Sequence, residues 1–322
     1  MGTERGLART LAVAAALWIG ACPVLSADNH LAIPQEARSY GVDVGLVRLS
    51  VTARSAPGAL VHDLASNEFQ VAEDGTDQEV VRFGHHEAPI SVAVLLDKSQ
   101  SMEDEKLMHA KDAVVSFAKA LRPEDEVLLI AFSRGIDVLG DFGLDLRTIE
   151  RATKRIRVAS STRLYDAVVE GARAISGPDR KEKRALLVLS DGADTASEAT
   201  LQEAVEAVRR AGVPVYAIGI EMEEEDRTVW FDPPWRRLSS APQPLEALHR
   251  LTDGTGGWTY AIKAAKRCRE VCVRVAEELR HQYLLGYAPR GGGAPAWRSV
   301  TVRTSRPNVT LETRAGYYAG AR

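Results

Sequence analysis

The sequence predicts an α/β fold: a doubly wound, mainly parallel sheet inserted between N- and C-terminal β-strand segments that form a small β-sandwich. Three observations carry this. Short, nearly continuous apolar runs alternate with amphipathic helical patterns through the middle of the chain, as parallel strands covered on both faces require. Both ends change to period-two alternation, the mark of half-buried strands. Each end alone is too short to enclose a core, which makes joint packing the expected solution.

The elements follow in order. Arg5 and Arg9 precede an apolar run from Leu11 to Ala21, with small residues at Ser26 and Ala27. A charged start, a short apolar run and a small-residue exit read as a secretory signal over residues 1–27, and the run is shorter than the roughly 20 residues a membrane-spanning helix needs. No comparable apolar stretch occurs later, so no transmembrane helix is expected. Cleavage after Ala27 gives a soluble product, which Pro23 favours; alternatively, Ile19-Gly20-Ala21-Cys22 resembles a lipobox, with a lipid anchor at Cys22. The expected location is secreted, periplasmic or cell-envelope.

Residues 28–88 form the N-terminal β segment. Val47, Leu49, Val51 and Ala53 alternate with polar residues, and Phe69 and Val71 lead into Glu73-Asp74-Gly75-Thr76, whose Asp-Gly pair signals a hairpin turn before Val81 and Phe83. Residues 89–282 form the α/β domain, with strands at Ile90–Asp97, Val127–Phe132, Ala185–Ser190 and Val213–Ile220. Between them Leu107, Ala110, Val114, Phe117 and Leu121 share one helical face, as do Val168, Ala172 and Ile175, and Leu201, Ala204, Val205 and Val208. A further helical pattern, Cys268, Val271, Cys272, Val275 and Leu279, puts both cysteines on its apolar face, where core packing is favoured over a disulfide. Residues 283–322 return to alternation at Tyr283, Leu285 and Tyr287, at Val300 and Val302, and at Val309 and Leu311. Exposed linkers are expected near His85–Ala88 and Gln282. His85 and His86 lack a third ligand at metal spacing and read as polar linker residues.

Composition bounds the function. With 41 Lys and Arg against 44 Asp and Glu the net charge is −3, so no chain-wide basic field draws nucleic acid. Three cysteines in 322 residues exclude a disulfide-built scaffold. Chemistry concentrates in three places. Strand Ile90–Asp97 runs into Asp97-Lys98-Ser99-Gln100-Ser101; Ser160-Ser161-Thr162 precedes a helix beginning near Leu164; and Ser190-Asp191-Gly192 ends another apolar strand. In open α/β sheets the crevice beyond the carboxyl ends of the strands is where ligands bind. One or two carboxylates with three hydroxyls suit a hard cation, Mg²⁺ or Mn²⁺, and so few anionic ligands leave the ion able to accept a carboxylate from another molecule.

These motifs resemble the metal-ion-dependent adhesion site of von Willebrand factor type A domains, over Ile90 to Gln282. The resemblance implies that Asp97, Ser99, Ser101, Thr162 and Asp191 hold Mg²⁺, some through water, and that a protein partner offers an acidic side chain. Glu73-Asp74-Gly75, Gln282-Tyr283-Leu284-Leu285-Gly286-Tyr287 and Gly316-Tyr317-Tyr318-Ala319 resemble a bacterial secreted VWFA-related family. Gln100 departs from the more usual Gly, at a position that is not a ligand in that pattern.

Asp166, one turn into a helix start, reads as structural. Glu221–Gln243 is a long acidic and aromatic stretch in which Trp230, Phe231, Trp235 and Arg236 have the composition of a partner-binding surface, or else anchor the loop on the body. No base stands within reach of Ser99 or Ser101 and no Gly-x-Ser-x-Gly elbow occurs, so no enzyme is expected. The expected function is a secreted, metal-dependent adhesion or protein-binding module; the alternative is a non-adhesive scaffold of the cell envelope.

Overall fold

Fourteen β-strands and six α-helices are traced in a computed structural model that describes residues 46–56, 58–85, 88–103, 105–220, 244–290 and 296–320. The described residues all lie in one compact unit, Val44–Arg322. Cys22 and the apolar run Leu11–Ala21 fall outside the described residues, as do Trp230, Phe231, Trp235, Arg236, His86 and the side chain of His85. No helix among the described residues is long and apolar enough to cross a membrane.

The N-terminal strands are β1 (Val47–Ser55), β2 (Phe69–Glu73), β3 (Thr76–Gln78) and β4 (Val80–His85). Asp74 and Gly75 join β2 to β3 with φ of 47° and 78°, the doubly positive backbone of a tight hairpin turn that Asp-Gly tolerates. The central domain runs β5 (Ile90–Asp97), α1 (Glu105–Ala120), β6 (Glu126–Phe132), β7 (Ile136–Val138), α2 (Leu146–Arg155), α3 (Leu164–Ile175), β8 (Lys183–Ser190), α4 (Leu201–Ala211), β9 (Val215–Ile220), α5 (Pro244–Thr252), β10 (Thr259–Ile262) and α6 (Cys268–Arg280). The chain closes with β11 (Tyr283–Tyr287), β12 (Trp297–Thr304), β13 (Val309–Glu312) and β14 (Gly316–Tyr318).

The central sheet has the order β10-β9-β8-β5-β6-β7, parallel throughout except for the antiparallel edge strand β7. Every residue of β5 is buried, and its side chains alternate between two cores. Val92, Val94 and Leu96 join the core under α1 and α6, whereas Ala93 and Leu95 join the core under α3, α4 and α5. The chain leaves β5 for β6 on one side and later returns to β8 on the other. The topological switch point therefore lies between β5 and β8, where a crevice opens at the carboxyl ends of the strands.

The two smaller sheets, β13-β1-β11-β4 and β14-β12-β2-β3, each mix strands from both ends of the chain. They enclose a third core that includes Leu49, Val51, Phe69, Val71, Tyr283, Leu285 and Tyr287. The mainly parallel sheet with flanking antiparallel sheets is the predicted fold class. Cys268 and Cys272 are buried, unbridged thiols on the core face of α6. Lys183, fully buried, donates to the carbonyls of Leu279 and Arg280 at 3.2 and 2.8 Å and so caps the C-terminal end of α6.

One expectation is corrected. Gln282 is not an exposed linker: it is 1% exposed, and its Nε2 donates to Thr52 Oγ1 at 3.3 Å and Tyr216 Oη at 3.2 Å. Strand β11 starts directly after α6, so the chain passes from one core to the next without a solvated spacer, and the amide finds its partners in β1 and β9.

Candidate metal centre

Strand β5 delivers Asp97 to the switch point at 0% exposure. Its Oδ1 accepts from the Ser99 backbone N–H at 2.8 Å, which turns the chain out of the strand. Lys98 N–H still donates to the Phe132 carbonyl at 2.9 Å and keeps the turn on the sheet. Gln100–Met102 form a short 3₁₀ turn whose fully buried Met102 pins the loop to the core. Ser99 and Ser101 thereby face each other, Oγ to Oγ at 3.0 Å, with Ser99 buried and Ser101 exposed.

The second segment is carried alongside by the backbone. Ala159 N–H donates to the Lys98 carbonyl at 2.9 Å, and Ser99 and Ala159 form a parallel bridge. Ser161 adopts a φ of 62°, and Thr162 follows at 3% exposure. Thr162 N–H donates to Thr195 Oγ1 at 2.9 Å, while its carbonyl accepts from the N–H groups of Thr195 and Ala196. Among the described residues the Thr162 hydroxyl makes no hydrogen bond.

The third segment closes the group. Ser190 Oγ donates to Asp97 Oδ2 at 2.6 Å across the switch point and accepts from Gly192 N–H at 2.9 Å. Asp191, half-buried, accepts from Ala193 N–H through Oδ1 at 3.1 Å. Gly192 has a φ of +85°, and a Cβ there would lie 2.2 Å from the Pro244 carbonyl oxygen, so the close approach of α5 admits only glycine. Burial, with the charge of Asp191 beside it, pushes Asp97 up to about 6, against the hydrogen bonds from Ser190 and Ser99.

Three of the five predicted residues, Asp97, Ser99 and Ser101, are thus joined by direct hydrogen bonds. Asp191 is coupled to Asp97 by charge and through Ser190, whereas the backbone of Thr162 bonds to Thr195 and Ala196 and to none of the other four. Sequence reasoning gave no role to the Ser190 hydroxyl or to Thr195. Ser190 adjoins a named aspartate, but its bond to Asp97 spans 93 residues and has no local signature.

Asp166 accepts from Arg163 Nε at 2.7 Å and from the N–H groups of Glu198 and Ala199 at 3.0 and 2.8 Å. It therefore ties α3 to the loop after β8, the structural part its position suggests. Asp194 is engaged likewise by Ser197 Oγ at 2.5 Å.

The donor set fits a hard cation. Among the described residues no group of three or more His, Cys, Asp or Glu is placed to hold a metal, so a centre here depends on hydroxyl oxygens beside two carboxylates. Among the described residues the buried Asp97 forms no ion pair: Lys98 Nζ turns to Asp137 Oδ2 at 2.8 Å instead. Asp97, Ser99, Ser101, Thr162 and Asp191 would hold the ion, which supplies a positive charge open to an acidic ligand.

Comparison with solved structures finds an aerotolerance-related membrane protein from Bacteroides fragilis, 17% identical with a TM-score of 0.46 over 59% of this chain and 99% of that one. A von Willebrand factor type A protein from Catenulispora acidiphila is 13% identical with a TM-score of 0.48, over 87% of this chain and 75% of that one. The vWF domain of a type V pili tip protein from Porphyromonas gingivalis is 10% identical with a TM-score of 0.47, over 64% and 98%. No curated protein matches the sequence. Residues 92–193 match the von Willebrand factor type A domain family, a stretch that begins inside β5 and takes in every residue from Asp97 to Asp191. The chain contains a von Willebrand factor type A domain.

Proposed function

We propose that the protein is a metal-dependent protein-binding module that works outside the cytoplasm. Asp97, Ser99, Ser101, Thr162 and Asp191 hold Mg²⁺ or Mn²⁺ and present it to a carboxylate of a protein partner. The observation that carries this reading is the hydrogen-bonded oxygen group at the switch-point edge, with Asp97 buried between Ser99 and Ser190 and in no ion pair among the described residues. A structural ion is enclosed by its own chain, whereas a docking ion needs an open position. Exposed Ser101 lies on the solvent side of this group, which supports docking. The role is recognition, with no catalytic step assigned to Ser99 or Ser101.

The reading is tested by capturing partners from envelope extracts in Mg²⁺ and again in a chelator, with Asp97→Ala in parallel. A partner retained only by the wild type in Mg²⁺ supports it. Partners retained equally in chelator and by the variant contradict it.

A further inference from the structure

Helix α2 carries a charge that its surroundings answer only in part, through the N-cap carboxylate of Asp145 near Arg151. Between residues 146 and 157 stand five cations, Arg147, Arg151, Lys154, Arg155 and Arg157, and one carboxylate, Glu150. That segment has a charge of +4, which leaves the rest of the chain at −7. All five cations are exposed. Glu150 is taken by Lys119, whose Nζ lies 3.2 Å away, and among the described residues none of the five cations forms an ion pair. Arg151 donates only within the helix, to the Arg147 carbonyl and Thr148 Oγ1, and Arg157 only to the carbonyls of Lys154 and Ile156.

The distribution is one-sided. At about 100° per residue, Arg147, Arg151, Lys154 and Arg155 fall within a single arc of roughly 100°. The opposite side carries Ile149 and Thr153, 1% and 3% exposed. The helix dipole accounts for cations in the last turn, but Arg147 stands in the first turn, where it opposes a cation, and Arg151 lies mid-helix, where it does not favour one. An ordinary solvated face intersperses both signs, and this arc contains no carboxylate.

We propose that the outer face of α2 docks electrostatically against an anionic phospholipid surface. A cluster of four or more Lys and Arg on an amphipathic helix is the pattern that attracts anionic headgroups. The stripe from Arg147 to Lys154 is about 10 Å long and convex, so a fluid headgroup layer can bring a phosphate to each cation. It offers no carboxylate to pair with a basic residue of a protein partner. Because the apolar side of α2 is committed to the protein core, nothing inserts into the bilayer, and the attachment is reversible and salt-labile. Docking in this way fixes how the edge bearing Asp97 and Thr162 is held relative to the membrane. The inference stands independently of whether that edge binds metal.

Cosedimentation of the full chain with vesicles tests it, using phosphatidylglycerol mixed with phosphatidylcholine against phosphatidylcholine alone. Arg5, Arg9 and the apolar run Leu11–Ala21 are present in every variant, so the change in anionic preference between the wild type and the α2 variants reads α2. The wild type is expected to prefer the anionic vesicles at low salt and to lose that preference at high salt. Arg151→Ala/Lys154→Ala and, separately, Arg147→Ala/Arg155→Ala each lower the preference about 25-fold, at about fivefold per cation removed. Equal partition onto both compositions, or an unchanged preference in both variants, overturns the proposal. So does tighter binding to duplex DNA than to anionic vesicles at the same salt, because the face would then be a general polyanion reader.

Discussion

Gly192 and Lys183 show how single side chains constrain the switch-point edge and the core beneath it. Gly192 combines a positive φ with a backbone contact that leaves no room for a Cβ. Gly192→Ala is expected to cost about 2 kcal/mol or more in chemical denaturation, since both strain and overpacking act; a neutral substitution contradicts the close approach of Pro244. Lys183 is pushed down to about 8, first by burial and then by the nearby Arg280 charge. Below pH 8 both folded and unfolded chains hold that proton and the cost of burying the charge is in force. Between pH 8 and about 10.4 the unfolded chain alone holds it, so this group makes stability rise with pH across that window. Unfolding at about pH 7.5 and pH 10 is expected to show the wild type gaining on the order of 2 kcal/mol relative to Lys183→Met. A constant difference between the two proteins would show that Lys183 titrates normally.

Helices and strands join the central domain to the sandwich through a few polar contacts. Arg54 of β1 reaches Glu278 of α6, Nη2 to Oε2 at 2.8 Å, and Tyr260 of β10 donates to the same carboxylate. Glu278 is fully buried. Arg54→Met leaves the buried Glu278 charge uncompensated and is expected to cost about 3 kcal/mol. Glu278→Gln leaves Arg54 its second partner Glu312, Nε to Oε2 at 3.3 Å, and is expected to cost less, with the double variant clearly below the sum. Additive losses in the double-mutant cycle would show that the two side chains do not act as a pair. Which elements a sequence discloses follows from the same physics. Strand β5 is read at its observed bounds, Ile90–Asp97, because eight residues buried on both faces produce a nearly continuous apolar run, broken only by Ser91 before Asp97 ends it. Helix α2 escapes because Ile149 is its one large buried apolar side chain, and four-residue β10 is too short for any period to register. Gln282 looks exposed because glutamine usually is; its partners Thr52 and Tyr216 lie 230 and 66 residues away.

Across the described residues, two cores flank the central sheet and a third lies between the antiparallel sheets, while the carboxyl ends of β5 and β8 bring Asp97 and Asp191 together. The mainly parallel sheet and its flanking antiparallel sheets are read from the two hydrophobic periods, which report burial on two faces or on one. The candidate site is less evenly disclosed. Asp97, Ser99 and Ser101 sit within five residues, where spacing after a buried strand is informative. The bond from Ser190 to Asp97 and the clamp of Thr195 on Thr162 appear only once the sheet order places those loops together. The proposed function rests on what the switch-point edge can hold. Calorimetric titration of Mg²⁺ and of Mn²⁺ into the wild type and Asp97→Ala tests it most directly, with circular dichroism of both proteins as the check on folding. Saturable binding to the wild type, lost in an equally folded Asp97→Ala, is the expected result. Absence of binding to the wild type, or equal binding to both proteins, would contradict the metal centre and reduce its five residues to turns and caps.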